Sequence, residues 1–241
     1  TDEVRKDKML FFISLNGIFE RSHLLMGFEN ALCAAIIDPD EYGEMIKAFA
    51  DHKIRSLDIF CDKYAPEIIL YHDDMGTQTG PFFDVEFYEK YLFPQYKRIV
   101  DHLHSRGVKH VVHHSCGKID PLIDSWKSCG FDGLDSLMPC NDLPEIQKKL
   151  GKDYVLWPGG DNQDVLGIAG IEKRKIEEMV IRYFNIFGRD ATGFAMDTTF
   201  AYSINRENDD YCYQMELKHG KAFFDAMKAG KEYIPVYEPQ C

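Results

Sequence analysis

The chain has 241 residues, 45% hydrophobic and 28% charged, the balance of a soluble protein with a sizeable core. Its 40 acidic side chains outnumber 28 basic ones, and the resulting net charge of −12 repels phosphate backbones, which argues against nucleic acid as a partner. No apolar run approaches the roughly 20 residues of a membrane helix, and the charged opening from Thr1 to Lys8 does not read as a secretory signal.

Residues 9–15 form a continuous apolar run that predicts a buried strand. Residues 40–64 then carry Met45, Ile46, Phe49, Ile54, Leu57 and Phe60 at three- and four-residue steps, a helix started by Asp38-Pro39-Asp40. Residues 67–74 are the second strand, ending in a turn at Gly76. Residues 86–104 predict a helix kinked or split at Pro94. A third strand, 109–114, runs into Ser115-Cys116-Gly117 and is followed by a helix over 119–129 and a fourth strand over 133–137. A short helix over 144–150 leads to a fifth strand, 154–157, which ends at Gly159-Gly160-Asp161. A long helix over 171–187, a sixth strand over 193–198 and a helix over 207–227 complete the pattern.

The seven cysteines, at 33, 61, 116, 129, 140, 212 and 241, share no spacing and include no CxxC pair. That favours reduced thiols in a cytoplasm over a disulfide framework. Cys33 and Cys61 fall in apolar helical patterns and are expected in the core.

Alternating strands and helices at these spacings predict parallel strands joined by right-handed crossovers, in one domain over 1–241. Polar residues recur where the strands end: Asn16, Asp73, Asp74, His114, Cys116, Asp161 and Asp197. A barrel gathers all its strand ends around one mouth, so a (β/α)8 TIM barrel is the expected fold. Six strands are readable where a closed barrel has eight, and the first two βα units are expected to be missing.

His114 and Cys116 are two apart in an extended segment, so imidazole and thiol point to the same side. Together they suit a borderline-soft ion such as zinc; the alternative is a hydrogen-bonded histidine beside an inert cysteine. His113 should face away from His114. The neighbours Asp73 and Asp74 also point apart, so only one can enter the mouth, to bind a cation, a proton or a substrate, unless both merely satisfy a turn. Asp161 and Asp197 project from later strand ends. Arg21 places a cation after the first strand, with an exposed ion pair as the plainer explanation.

The order Asp73-Asp74-Met75-Gly76-Thr77-Gln78, then His114-Ser115-Cys116-Gly117, then Gly159-Gly160-Asp161 resembles the uroporphyrinogen decarboxylase superfamily. The likeness extends from about residue 15 to 227. It takes in Gly17-Ile18-Phe19-Glu20-Arg21, Leu25-Met26-Gly27-Phe28-Glu29, Asp38-Pro39 and Phe93-Pro94. It implies a (β/α)8 barrel and two chemistries. The decarboxylases act on tetrapyrrole carboxylates in porphyrin biosynthesis without metal or cofactor. The corrinoid-dependent methyltransferases hold zinc through an HxC pair and a later Cys, and this chain resembles that branch more closely.

The resemblance thus implies a methyltransferase that moves a methyl group between a small donor (methyl ether, methylamine or thiol) and a corrinoid carried by a partner protein. His114 and Cys116 match the first two zinc ligands. No Cys lies between 193 and 202, where the third belongs, and Asp197 is the candidate substitute. Asp74 and Asp161 are the candidate catalytic carboxylates, and Arg21, Gln78, His113 and Asp197 the candidate substrate contacts. A homo-oligomer is compatible with this reading. Metal-free decarboxylation is the alternative, and a binding module that has lost catalysis a third.

Overall fold

The first apolar run forms strand β1, Phe11–Ser14, in the computed structural model, which describes residues 4–188, 193–196 and 205–238. The chain forms two compact units, Thr1–Asp135 and Ser136–Cys241.

In the first unit β1 is followed by three helices, α1 (Ile18–Met26), α2 (Phe28–Ile37) and α3 (Pro39–Tyr64). Strand β2 (Ile68–His72) leads through a short turn of helix, α4 (Val85–Phe87), into α5 (Phe93–Ser105) and strand β3 (His110–His114). Helix α6 (Ile123–Cys129) precedes β4 (Gly133–Leu137). Strands β1 to β4 pair in chain order and all in parallel. That is the βα repeat the alternation predicts.

Local chemistry explains these bounds. The Asp38 side chain accepts the Glu41 N–H at 3.5 Å, and Pro39 occupies the first turn of α3, where its missing N–H costs nothing. Tyr42, Ile46, Ala50, Lys53, Leu57 and Cys61 recur at three- and four-residue steps and form its buried stripe. Pro94 does not kink a continuous helix. It sits in the first turn of α5, and the preceding residues Tyr88–Leu92 form a wide π turn that absorbs the break.

Two expectations fail. Helices α1 and α2 were not delimited from sequence, although Cys33 in α2 falls in an apolar helical pattern, since their apolar residues run together and include the exposed Leu24, Leu25, Ile36 and Ile37, which blur any stripe. Cys61 is buried as expected, but Cys33 is exposed, on the outer side of α2.

Register matters most for function. It sets His72 opposite His114, and His114 opposite Asp135, so three polar residues lie side by side on adjacent strands. Tyr71 stands opposite His113, one residue earlier and on the other face. That face is the core: Tyr71, Tyr96 and Trp126 are fully buried, with Phe131 beside them.

The second unit contains α7 (Leu143–Leu150), β5 (Val155–Pro158), α8 (Lys173–Phe187) and α9 (Arg206–Lys228). Leu156 pairs in parallel with Phe194, the start of the predicted sixth strand; Asp197 lies outside the described residues. Among the described residues no helix is long and apolar enough to cross a membrane.

Candidate functional site

The turn after β1 is fastened to the end of β2. Gly17 donates its N–H to the His72 carbonyl at 2.8 Å, and a Cβ on Gly17 would lie 2.2 Å from the Asp73 carboxyl carbon. Only glycine fits there. Asp73 is fully buried and accepts the N–H groups of Phe19 (3.0 Å) and Glu20 (2.8 Å) and the Tyr96 hydroxyl (2.6 Å). It thereby holds the first turn of α1, whose unpaired N–H groups favour a carboxylate. Burial, with the Glu20 charge behind it, pushes its pKa up to about 7 against the pull of these donors.

Glu20, so anchored, turns its carboxylate back. One oxygen takes the Gly17 N–H at 3.2 Å, and the other lies 3.0 Å from His72 Nδ1. Burial works against both charges, yet the pairing prevails: the His72 pKa is raised and that of Glu20 lowered. The His72 ring stacks on the His114 ring, with centroids 4.1 Å apart and planes at 14°.

His114 Nδ1 lies 2.5 Å from Asp135 Oδ2. Its Nε2 is 3.7 Å from Cys116 Sγ and 3.7 Å from Asp74 Oδ1, and the Cys116 N–H donates to that same Asp74 oxygen at 2.7 Å. One donor atom each from His72, Asp74 and His114 lie within 4.8 Å of one another. Asp74, with a side chain 36% exposed, is on the open side of this group.

The loops carrying Asp74 and Cys116 are stitched together. Lys118 N–H meets Thr77 O at 2.6 Å, and Met75 N–H meets Ser115 Oγ at 2.9 Å. Gly117, at φ +86°, packs its backbone against Gly76; a Cβ there would come within 2.3 Å of Gly76 atoms. Close backbone contact, available only to glycine, keeps Asp74 beside Cys116.

The donor set fits a divalent borderline ion: two imidazoles, a carboxylate and a thiol within reach. His72 Nδ1 lies beside Glu20 and His114 Nδ1 beside Asp135, while His114 Nε2 faces Cys116 Sγ and Asp74.

Of the residues singled out from sequence, His114, Cys116 and Asp74 come together. Gln78 is exposed in the turn of the 76–81 hairpin, and Arg21 is half-buried on α1. His113, read as a substrate contact, is wholly inside the core, because strand alternation turns it away from His114. It lies against Trp126 and Phe131 at ring distances of 4.3 and 4.7 Å, and burial holds its pKa well below the usual value. Asp161, in the second unit, accepts the Asp164 N–H at 2.9 Å and so begins a turn. His72, Glu20 and Asp135 were not named as site residues from sequence; strand register brings His72 and Asp135 to His114, and the first turn of α1 brings Glu20 to His72.

The sequence model of the uroporphyrinogen decarboxylase (URO-D) family matches residues 12–184. The structure is similar to that of a methyltransferase from Methanosarcina mazei, with a TM-score of 0.64 and 14% identity, over 89% of this chain and 61% of that one. The chain therefore spans under two thirds of that protein's length. At this identity the likeness carries the fold alone, an α/β fold of parallel strands of the TIM-barrel type. Comparison with curated proteins gives no match.

Proposed function

The chain belongs to the uroporphyrinogen decarboxylase family, and on that footing we propose that it is a methyltransferase working through a zinc centre at His114 and Cys116. The observation that carries this reading is the meeting of His114 Nε2 and Cys116 Sγ at 3.7 Å, with donor atoms of His72 and Asp74 beside them. The methyl group passes between a small methylated donor and the cobalt of a corrinoid, a co-substrate brought by a separate protein. The setting is cytoplasmic.

A bound zinc ion supplies Lewis acidity toward the donor heteroatom or an accepting thiol. The chain's own residues do the rest. Asp74, fixed by the Cys116 N–H and open on one side, positions the donor and exchanges a proton with the leaving group. Asp161 is the second carboxylate for this task, and Arg21 and Gln78 are the proposed substrate contacts.

The decarboxylase alternative has less support. Binding a polycarboxylated ring calls for cations, but the ends of β1 to β4 gather the carboxyl groups of Glu20, Asp73, Asp74 and Asp135, which repel one.

The test is to incubate the purified chain and zinc with cob(I)alamin and methyl ether, methylamine or methyl thioether donors, following methylcobalamin by its absorption. Methylation that needs zinc and fails in Cys116→Ser is the expected result. Metal-free decarboxylation of a porphyrinogen, with no methyl transfer, overturns the reading.

A further inference from the structure

The segment between β5 and α8, residues 159–172, carries Asp161 near its start and is built of turns. It is nevertheless tightly folded. The Asp161 carbonyl takes the N–H groups of Val165 (3.2 Å) and Leu166 (2.6 Å), and its Oδ1 takes the Asp164 N–H at 2.9 Å. Leu166 is buried. Gly167 then returns against the start of the loop, where a Cβ would lie 2.2 Å from the Asn162 carbonyl oxygen.

Two buried side chains from later helices clamp this loop. Tyr183, on α8, donates its hydroxyl to the Gly159 carbonyl at 2.8 Å. Asn208, in the first turn of α9, donates through Nδ2 to the carbonyls of Leu166 and Ile168, each at 2.9 Å, while its Oδ1 accepts from Lys173 Nζ at 3.2 Å. The amide's N–H donors and its oxygen match two carbonyls and an ammonium; a carboxylate of the same shape would oppose both carbonyls. The clamps bracket Asp161. One holds the chain just before it, and the other holds Leu166, whose N–H is bonded to the Asp161 carbonyl.

We infer that Tyr183 and Asn208 are positioning residues for Asp161: by fixing both ends of its turn, they hold the carboxylate in one place for the reaction. The inference rests on the reading of Asp161 as the second carboxylate of methyl transfer and adds two residues that act through it. The competing account is that both side chains merely satisfy buried carbonyls and so contribute stability alone.

The experiment uses the full chain with zinc(II), cob(I)alamin and the most active of methylamine, dimethyl sulfide and a methyl ether. It measures kcat and KM for Asp161→Asn, Tyr183→Phe and Asn208→Asp, and for the latter two combined with Asp161→Asn. Amide hydrogen exchange over residues 161–168 and thermal melts accompany the kinetics. Asp161→Asn is expected to lower kcat about 100-fold or more. Tyr183→Phe and Asn208→Asp should each lower it about 10- to 100-fold with KM little changed, and should speed exchange in the loop. In the Asp161→Asn background neither should reduce kcat further, because a residue acting through Asp161 has nothing left to position. Tyr183→Phe, which removes a single hydroxyl, carries the test if Asn208→Asp does not fold. Wild-type kcat in the single variants, or losses that multiply with that of Asp161→Asn, overturns the positioning role and leaves the reaction standing. If Asp161→Asn is as active as wild type, or the chain transfers no methyl group from these donors, the role of Asp161 falls and the inference with it.

Discussion

The rings of His72 and His114 lie almost parallel, 4.1 Å between centroids, because the β2–β3 register sets their Cα positions opposite each other. Such close stacking disfavours two positive charges, and a donor atom of each ring falls in one group with Asp74, all within 4.8 Å of one another. His72→Phe keeps the aromatic stack and removes the nitrogen donor. We expect zinc affinity to fall by about 100-fold or more, while the melting temperature of the metal-free protein moves little. Unchanged affinity in a chelator competition excludes His72 as a ligand and returns the site to His114 and Cys116 alone.

Gly117 bears on the same geometry from the other side. A methyl group there meets Gly76 backbone atoms at 2.3 Å and also demands a left-handed backbone at φ +86°. Neither can relax by turning a side chain. Gly117→Ala should cost roughly 1–3 kcal/mol in urea denaturation and should weaken zinc binding as the Asp74 and Cys116 loops separate. A variant as stable as wild type means that the two loops have room to part.

These relationships mark the limit of what the sequence offers. The strand ends, the pairing of His114 with Cys116 and the opposite facing of Asp73 and Asp74 follow from alternation within one segment, and the structure has the same geometry. His72 and Asp135 were out of reach because their role depends on register between segments, which no single stretch encodes. A hint was present: histidine ends both apolar runs, at 72 and 114, as it would if parallel strands delivered both to one edge. Glu20 was seen only as part of a matched motif, because the α1 turn that aims it depends on a buried cap from Asp73, 53 residues away. His113 shows the converse. Its neighbourhood in sequence recommended it for the site, and alternation sent it into the core.

Lys53 offers a pH test of the first unit. It is buried on α3, donating to the Leu15 carbonyl at 2.9 Å, and burial lowers its pKa to about 8, only partly countered by the Asp73 charge. A lysine with a depressed folded-state pKa binds fewer protons folded than unfolded between pH 8 and its ordinary 10.5. Stability from this group therefore rises with pH across that window, and below it the burial of the charge costs roughly 3 kcal/mol. Lys53→Met removes that cost and loses the hydrogen bonds to the Leu15 carbonyl and, at 3.5 Å, to Ser14 Oγ. We expect the variant to be more stable at pH 7 by about 1–2 kcal/mol, with the advantage shrinking toward pH 10. Urea titrations across pH 6–10 check this. A variant less stable throughout means that the Leu15 contact outweighs burial.

In the second unit the corresponding test is Glu177, buried on α8 under the C-terminal tail. Its carboxylate takes His219 Nε2 at 2.9 Å, Lys218 Nζ at 3.1 Å and the Glu238 N–H at 2.9 Å. The other His219 nitrogen lies 2.5 Å from the Tyr233 hydroxyl, and Arg174 covers the Tyr237 ring at 4.3 Å while donating to the Glu238 carbonyl. One buried anion thus ties residues 233–238 to two helices. Burial alone would raise its pKa, but these donors hold it below the ordinary 4.5. A depressed carboxylate stabilises above that ordinary value, and the contribution is lost as pH falls through the folded-state pKa. Glu177→Gln should therefore cost roughly 2–3 kcal/mol at pH 7, with the gap to wild type closing at acid pH. The amide also leaves Lys218 and Arg174 without their shared counter-charge, so the tail should loosen before the helices melt. Limited proteolysis should cut the 231–238 segment of the variant faster than that of wild type under conditions where both remain folded. Equal cutting rates mean that the tail is held by its aromatic contacts, with Glu177 serving only α8 and α9.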